Sequence, residues 1–118
     1  MVDMVDMAAL LDALPDGVVG VDLRGEVLIA NAALLAMTGF SAAEVVGQPI
    51  DALVPEAQRG AHARRREGFS LAPLARPMNN ELDTRVVTRA GSDLPVAIQI
   101  SPIQWQGLAA FVAVLRPA

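Results

Sequence analysis

Apolar and polar positions in this chain fall into short blocks whose periods change along the sequence. Residues 1–14 (MVDMVDMAALLDAL) set Met4, Met7, Leu11 and Leu14 at three- and four-residue spacing, opposite Asp3, Asp6 and Asp12. That spacing predicts an amphipathic helix. Two heptads are too short to stand alone, so the stripe must bury against something. It can serve as a signalling or dimerisation helix, or cover its own sheet. Pro15-Asp16-Gly17 ends it. Val18, Val19, Val21 and Leu23 then predict a strand, Arg24-Gly25 a turn, and Val27, Leu28 and Ile29 a second strand. Gly accepts the positive φ that such a turn needs. Asn31 is placed to cap a helix carrying Leu34, Leu35 and Met37, which Gly39 stops. Ser41 and Glu44 form a capping box for a short helix over 42–46, closed by Gly47. A further helical turn over 49–54 ends at Pro55.

The second half begins with its most polar stretch. Residues 55–71 predict a longer helix with Gln58, Ala61, His62, Arg65 and Phe69 along one stripe, and the prolines and asparagines of 72–80 predict a loop. Residues 81–89 alternate, with Leu82, Thr84 and Val86 on one face, which is the period of a half-buried strand. A turn at 90–93 leads to a strand over 94–103, with Val96, Ile98 and Ile100 on one side. Gln106-Gly107 marks the last turn. The final strand, 108–115, is apolar on both faces, so it is expected at the centre of the sheet and covered on both sides. Tight turns between consecutive strands imply antiparallel pairing.

Composition narrows the chemistry. The 118 residues suit one domain with one core. The absence of cysteine removes disulfides, thiolate metal sites and cysteinyl adducts. A net charge of −4 gives no global attraction to nucleic acid. No apolar run approaches the roughly 20 residues that span a bilayer, and the acidic start lacks the basic n-region of a signal peptide. No membrane partner and a cytoplasmic location are therefore expected. Arg59, Arg64, Arg65 and Arg66 cluster locally. They fit an anion contact or a solvated helix face, and no aromatic residue interleaves them as nucleic-acid stacking would require. One histidine, with no cysteine, lysine or tyrosine, leaves few nucleophiles or general bases. Gly17-Val-Val-Gly20 lies on a strand rather than at a helix start, so it is no phosphate loop. An enzyme is not expected.

Taken in order, several short pieces resemble the PAS sensor domains. They are Leu14-Pro15-Asp16-Gly17, Val21-Asp22, Gly25, Ala30-Asn31-Ala32-Ala33, Thr38-Gly39-Phe40-Ser41, Glu44, Gly47-Gln48-Pro49, Leu53-Val54-Pro55, Arg89-Ala90-Gly91-Ser92 and Pro95-Val96. The resemblance runs from about Leu10 to Arg116. It implies an α+β fold, a five-stranded antiparallel sheet of order 2-1-5-4-3. Helices lie over one face and an N-terminal helix (1–14) lies on the other, ahead of a PAS domain at 15–118. The inner wall of the cup is expected from Ile29, Leu34, Met37, Ile50, Leu53, Phe69, Val96, Ile98, Ile100 and Val112. Trp105, Phe111, Ala113 and Leu115 are expected on the outer face. The N-terminal helix, a second copy of the domain, or both would cover that face.

The finer likeness is to PAS domains of bacterial sensor kinases of the FixL-like subgroup. In those domains a histidine on the helix matching 55–71 ligates haem iron, which would make His62 the axial ligand. This sequence has Leu82 where the oxygen sensors carry a distal arginine. It has Asn80 where redox-type relatives place a methionine, with Met78 close by. A helix histidine bonded to backbone or water is the alternative. A photoactive flavin site needs the missing cysteine, and a non-covalent flavin would draw on Asn79, Asn80 and Gln99. A small apolar ligand suits the Val/Leu/Ile wall better, and a fully packed cup with no ligand is the plainest case. The expected pocket residues are His62, Met78, Leu82, Ile98 and Ile100. The expected dimer and signalling residues are Met4, Met7, Leu11, Leu14, Phe111 and Leu115. The resemblance implies a homodimeric sensory module of two-component signalling that relays the state of its cup to an effector such as a histidine kinase or cyclase. A ligand-free dimerisation module is the alternative.

Overall fold

A computed structural model describes residues 4–55 and 84–117. The helix expected over 55–71, apart from Pro55, and the loop over 72–80 lie outside them. The elements run α1 (Met4–Asp12), β1 (Gly17–Asp22), β2 (Val27–Ala30), α2 (Ala32–Thr38), α3 (Ala42–Val45), a 3-10 helix (Ile50–Leu53), β3 (Arg85–Val87), β4 (Asp93–Trp105) and β5 (Leu108–Pro117). The strands form one antiparallel sheet of order β2-β1-β5-β4-β3, as the PAS resemblance implied. The doubly apolar β5 is its central strand.

Local chemistry sets the boundaries. Asn31 caps α2 by accepting from the Leu34 N–H at 3.1 Å, and Gly39 ends it in the left-handed region at φ 82°. At α3, the Glu44 carboxylate accepts from the Ser41 N–H at 3.0 Å, completing the capping box. The β4–β5 turn holds Gln106 and Gly107 both at positive φ (52° and 82°). That geometry matches the twist of the flanking strands, and it lets β4 and β5 pair from Val96–Pro117 down to Trp105–Leu108. In the β1–β2 turn the Asp22 carboxylate accepts from the N–H groups of Arg24 and Glu26, each at 2.9 Å.

Register decides which side chains face the cup, and here several expectations are corrected. Cross-strand partners share a face. Val19 of β1 pairs with Ala113, Ile98 with Leu115, and Ile100 with Ala113. Ile98 and Ile100 face inward, so Ala113 and Leu115 face inward with them, and Leu115 is buried. Phe111, two residues before Ala113 and opposite Val21, shares that inner face and is also buried. None of these three is an outer-face residue. Gly20 pairs with both Ile29 and Val112, one position out of phase with Val19. Ile29 and Val112 therefore face outward rather than lining the cup. The outer face also carries Val114, Ile103 and Trp105, all half-buried, and Leu108, which is 72% exposed.

The core lies between the inner sheet face and the helices. Val19, Val27, Leu34, Val45, Leu53, Val86, Val96 and Leu115 form one buried cluster, with Met37, Ile50, Ile98 and Ala113 packed against it. Leu34 is fully buried, and a Cβ built on Gly17 would lie 3.3 Å from the Leu34 Cα. α2 therefore rests almost on the backbone of β1.

Candidate functional site

Four strands and the 3-10 helix surround a partly enclosed cavity of about 110 Å3. Val19 of β1, Ala113 and Leu115 of β5, Ile98 and Ile100 of β4, and Val86 of β3 line the sheet side. Ile50 and Leu53 close it from the 3-10 helix, and Val54, Thr84 and Arg85 complete the lining. The sheet side is aliphatic because each position of β1, β4 and β5 that lines it carries Val, Ile, Leu or Ala. The Thr84 hydroxyl donates to the Val96 carbonyl. Among the described residues the cavity thus offers shape and apolar surface, with Thr84 and Arg85 as its polar side chains.

The strands that wall the cavity run directly to a polar joint. Gly17 pairs with Leu115, so the entry to β1 and the end of β5 lie side by side. Arg116 Nη2 donates to Asp16 Oδ2 at 3.0 Å across this corner. That contact holds the Arg116 guanidinium above its ordinary pKa, through the hydrogen bond first and the opposite charge second. The Asn31 side chain sits beside it. It is 1% exposed and bonded on both its oxygen and its nitrogen.

A second tie closes the far end of α2. The Arg89 N–H donates to the Thr38 carbonyl at 2.8 Å, and Arg89 Nε donates to Glu44 Oε2 at 3.1 Å. The Glu44 carboxyl is held below its usual pKa, mainly by the Ser41 N–H and next by Arg89. A lowered folded-state pKa stabilises above the unfolded value and is lost as pH falls through the folded one. This tie therefore weakens only in acid, and its exposure keeps the contribution small.

The structure brings together some of the predicted residues. Ile98 and Ile100 stand in the cavity wall as expected. His62, Met78 and Leu82 lie outside the described residues. Met4 falls within α1. Met7 and Leu14 are exposed, while Leu11 is half-buried and offers its carbonyl to Asn31. Val19, Ala113 and Leu115 are wall residues that the apolar pattern did not single out, and Asn31 does more than cap α2. Among the described residues there is no cluster of three or more His, Cys, Asp or Glu that could hold a metal ion. None of their helices is long and apolar enough to cross a membrane.

This curled antiparallel sheet, closed over an apolar cup by short helices, is the architecture of a sensor-domain fold. A model of the PAS fold family matches residues 6–118, and the chain belongs to that family. No curated protein sequence matches it. Among solved structures it is similar to the PAS domain of an HTR-like protein from Haloarcula marismortui, with a TM-score of 0.80 and 22% identity over 95% of this chain and 88% of that one. It also resembles the PAS domain of nitrogen regulation protein NR(II) from Vibrio parahaemolyticus, with a TM-score of 0.69 and 18% identity over 99% of this chain and 100% of that one. A PAS domain from a two-component sensor histidine kinase aligns with a TM-score of 0.74 and 13% identity, covering 95% of this chain and 93% of the other.

Proposed function

We propose that this chain is a non-enzymatic sensory module that takes a small apolar molecule into the cavity and relays its presence through β1 and β5 to α1. The observation that carries this is the aliphatic cavity of about 110 Å3 whose walls, Val19 and Leu115, sit one or two residues from the joint holding α1. Apolar cavities of roughly 150 Å3 stay dry and accept benzene-sized guests, so the described space suits a compact hydrocarbon. The described wall supplies aliphatic groups, one threonine and one arginine, none of which ligates iron. The haem reading of the FixL-like likeness rests on His62, with Met78 close by, and both lie outside the described residues.

The similar structures, which include PAS domains of a sensor histidine kinase and of NR(II), support a signalling role with an effector such as a histidine kinase. Pairing of two copies would use the outer face of Ile103, Trp105, Leu108, Val112 and Val114 together with the α1 stripe. Leu115, being inside, acts in the relay rather than in pairing.

Thermal unfolding with benzene tests the binding claim. A ligand that binds only the folded state raises the melting temperature with its concentration. The wild-type chain should show that rise. Ala113→Leu, which fills the cavity, should still unfold cooperatively and show none. No rise in the wild type, or an equal rise in the variant, would overturn the reading.

A further inference from the structure

One buried side chain joins α1 to the domain, and its two halves face different partners. Asn31 Oδ1 accepts from the Val18 N–H at 2.8 Å and the Leu34 N–H at 3.1 Å, both in the domain proper. Its Nδ2 donates to the Leu11 carbonyl at 2.8 Å, in the last turn of α1, and to the Asp16 carbonyl at 3.1 Å, in the linker. Beside it Asp12 Oδ1 accepts from the Ala32 N–H at 2.9 Å. None of the described residues of α1 belongs to the core cluster, and Leu10 is 63% exposed.

We propose that Asn31 is a two-sided joint whose amide half keeps α1 docked, so that breaking the two Nδ2 bonds releases α1 as a unit while the domain stays folded. The physical reason is the division of labour within the side chain. When α1 leaves, the amide and the freed Leu11 carbonyl become accessible to water, so no buried polar group is stranded. The oxygen meanwhile keeps its bonds to β1 and α2. Hydrogen bonds are directional, so the helix is docked or free rather than sliding continuously. The proposal names the regulation of the relay described above and takes its purpose from that reading. The joint itself requires no ligand.

Asn31→Asp separates the two halves. It keeps an oxygen for Val18 and Leu34, and it turns the donor into a second oxygen facing the carbonyls of Leu11 and Asp16. In hydrogen exchange of the whole chain at neutral pH, peptides over α1 should lose protection on the order of tenfold, as befits about two lost hydrogen bonds. Peptides over β4 and β5 should keep theirs. Lowering the pH should restore α1 protection in the variant relative to wild type, after correction for intrinsic rates, because a protonated carboxyl regains a donor. Asp12→Ala should loosen α1 by less. Unchanged α1 protection in Asn31→Asp, equal loosening of β4 and β5, or an α1 already unprotected in the wild type would overturn the proposal. If α1 responds as expected but benzene leaves it untouched, the joint stands and the relay falls.

Discussion

Asn31→Ala is expected to cost about 3 kcal/mol of stability and to lower the melting temperature by on the order of 10 °C. Loss of a helix N-cap accounts for about 1 kcal/mol. Leaving the Val18 N–H buried without its acceptor adds about 1–3 kcal/mol. The side chain's burial at 1% exposed means that water cannot readily take its place. Denaturant unfolding measures the effect directly. A loss below about 1 kcal/mol would show that β1 and α2 satisfy those N–H groups some other way. Asn31→Asp, which keeps the acceptor, should fall well short of the alanine variant, and the pair of variants separates the capping role from the docking role.

Leu34→Ala is expected to destabilise by about 4 kcal/mol, toward the upper part of the range for buried leucine truncations. Such costs depend on whether neighbours can collapse into the space left behind. Here they cannot move far. Leu34 is fully buried, and its backbone already lies against Gly17 of β1, where even a Cβ would sit 3.3 Å away. The urea midpoint should fall with the m-value unchanged. A loss under about 2 kcal/mol would mean that α2 closes onto the sheet more freely than this contact allows.

Much of this fold was legible because its local signals agree with one another. Asn31, Gly39, Ser41 and Glu44 punctuate the helices where the sequence said they would, and glycine-containing turns mark the β1–β2 and β4–β5 hairpins. The double apolarity of β5 identified it as the central strand. That same double apolarity hid which of its faces turns inward. A period of two fixes a face only when the other side is polar, and the answer came from pairing, Ile98 against Leu115 and Ile100 against Ala113. Ile29 was misplaced for a related reason. Val27, Leu28 and Ile29 are a continuous apolar run, and the pairing shifts between Gly20 and Val21 across the hairpin. The joint was half legible. A cap is a local feature with a sequence signature, whereas the bond from Asn31 to Leu11 spans 20 residues and leaves no periodicity behind.

Cavity and joint meet along β1 and β5. Val19 and Leu115 touch the cavity, Val18 binds Asn31, and Gly17 pairs with Leu115 beside the Asp16–Arg116 contact. A guest that spreads Val19 from Leu115 would shift the same strand segment on which Asn31 closes. A ligand can move such an equilibrium only by binding its two states differently, so the relay requires that cavity occupancy and α1 docking be coupled.

The most direct test is to titrate benzene into the full chain and follow, by NMR, the methyl groups of Val19, Ile98, Ile100 and Leu115 together with the backbone amides of α1. The relay predicts that the cavity methyls and the α1 amides shift along one saturation curve, and that Asn31→Asp keeps the first set while losing the second. Shifts confined to the cavity, or none at all, would contradict it.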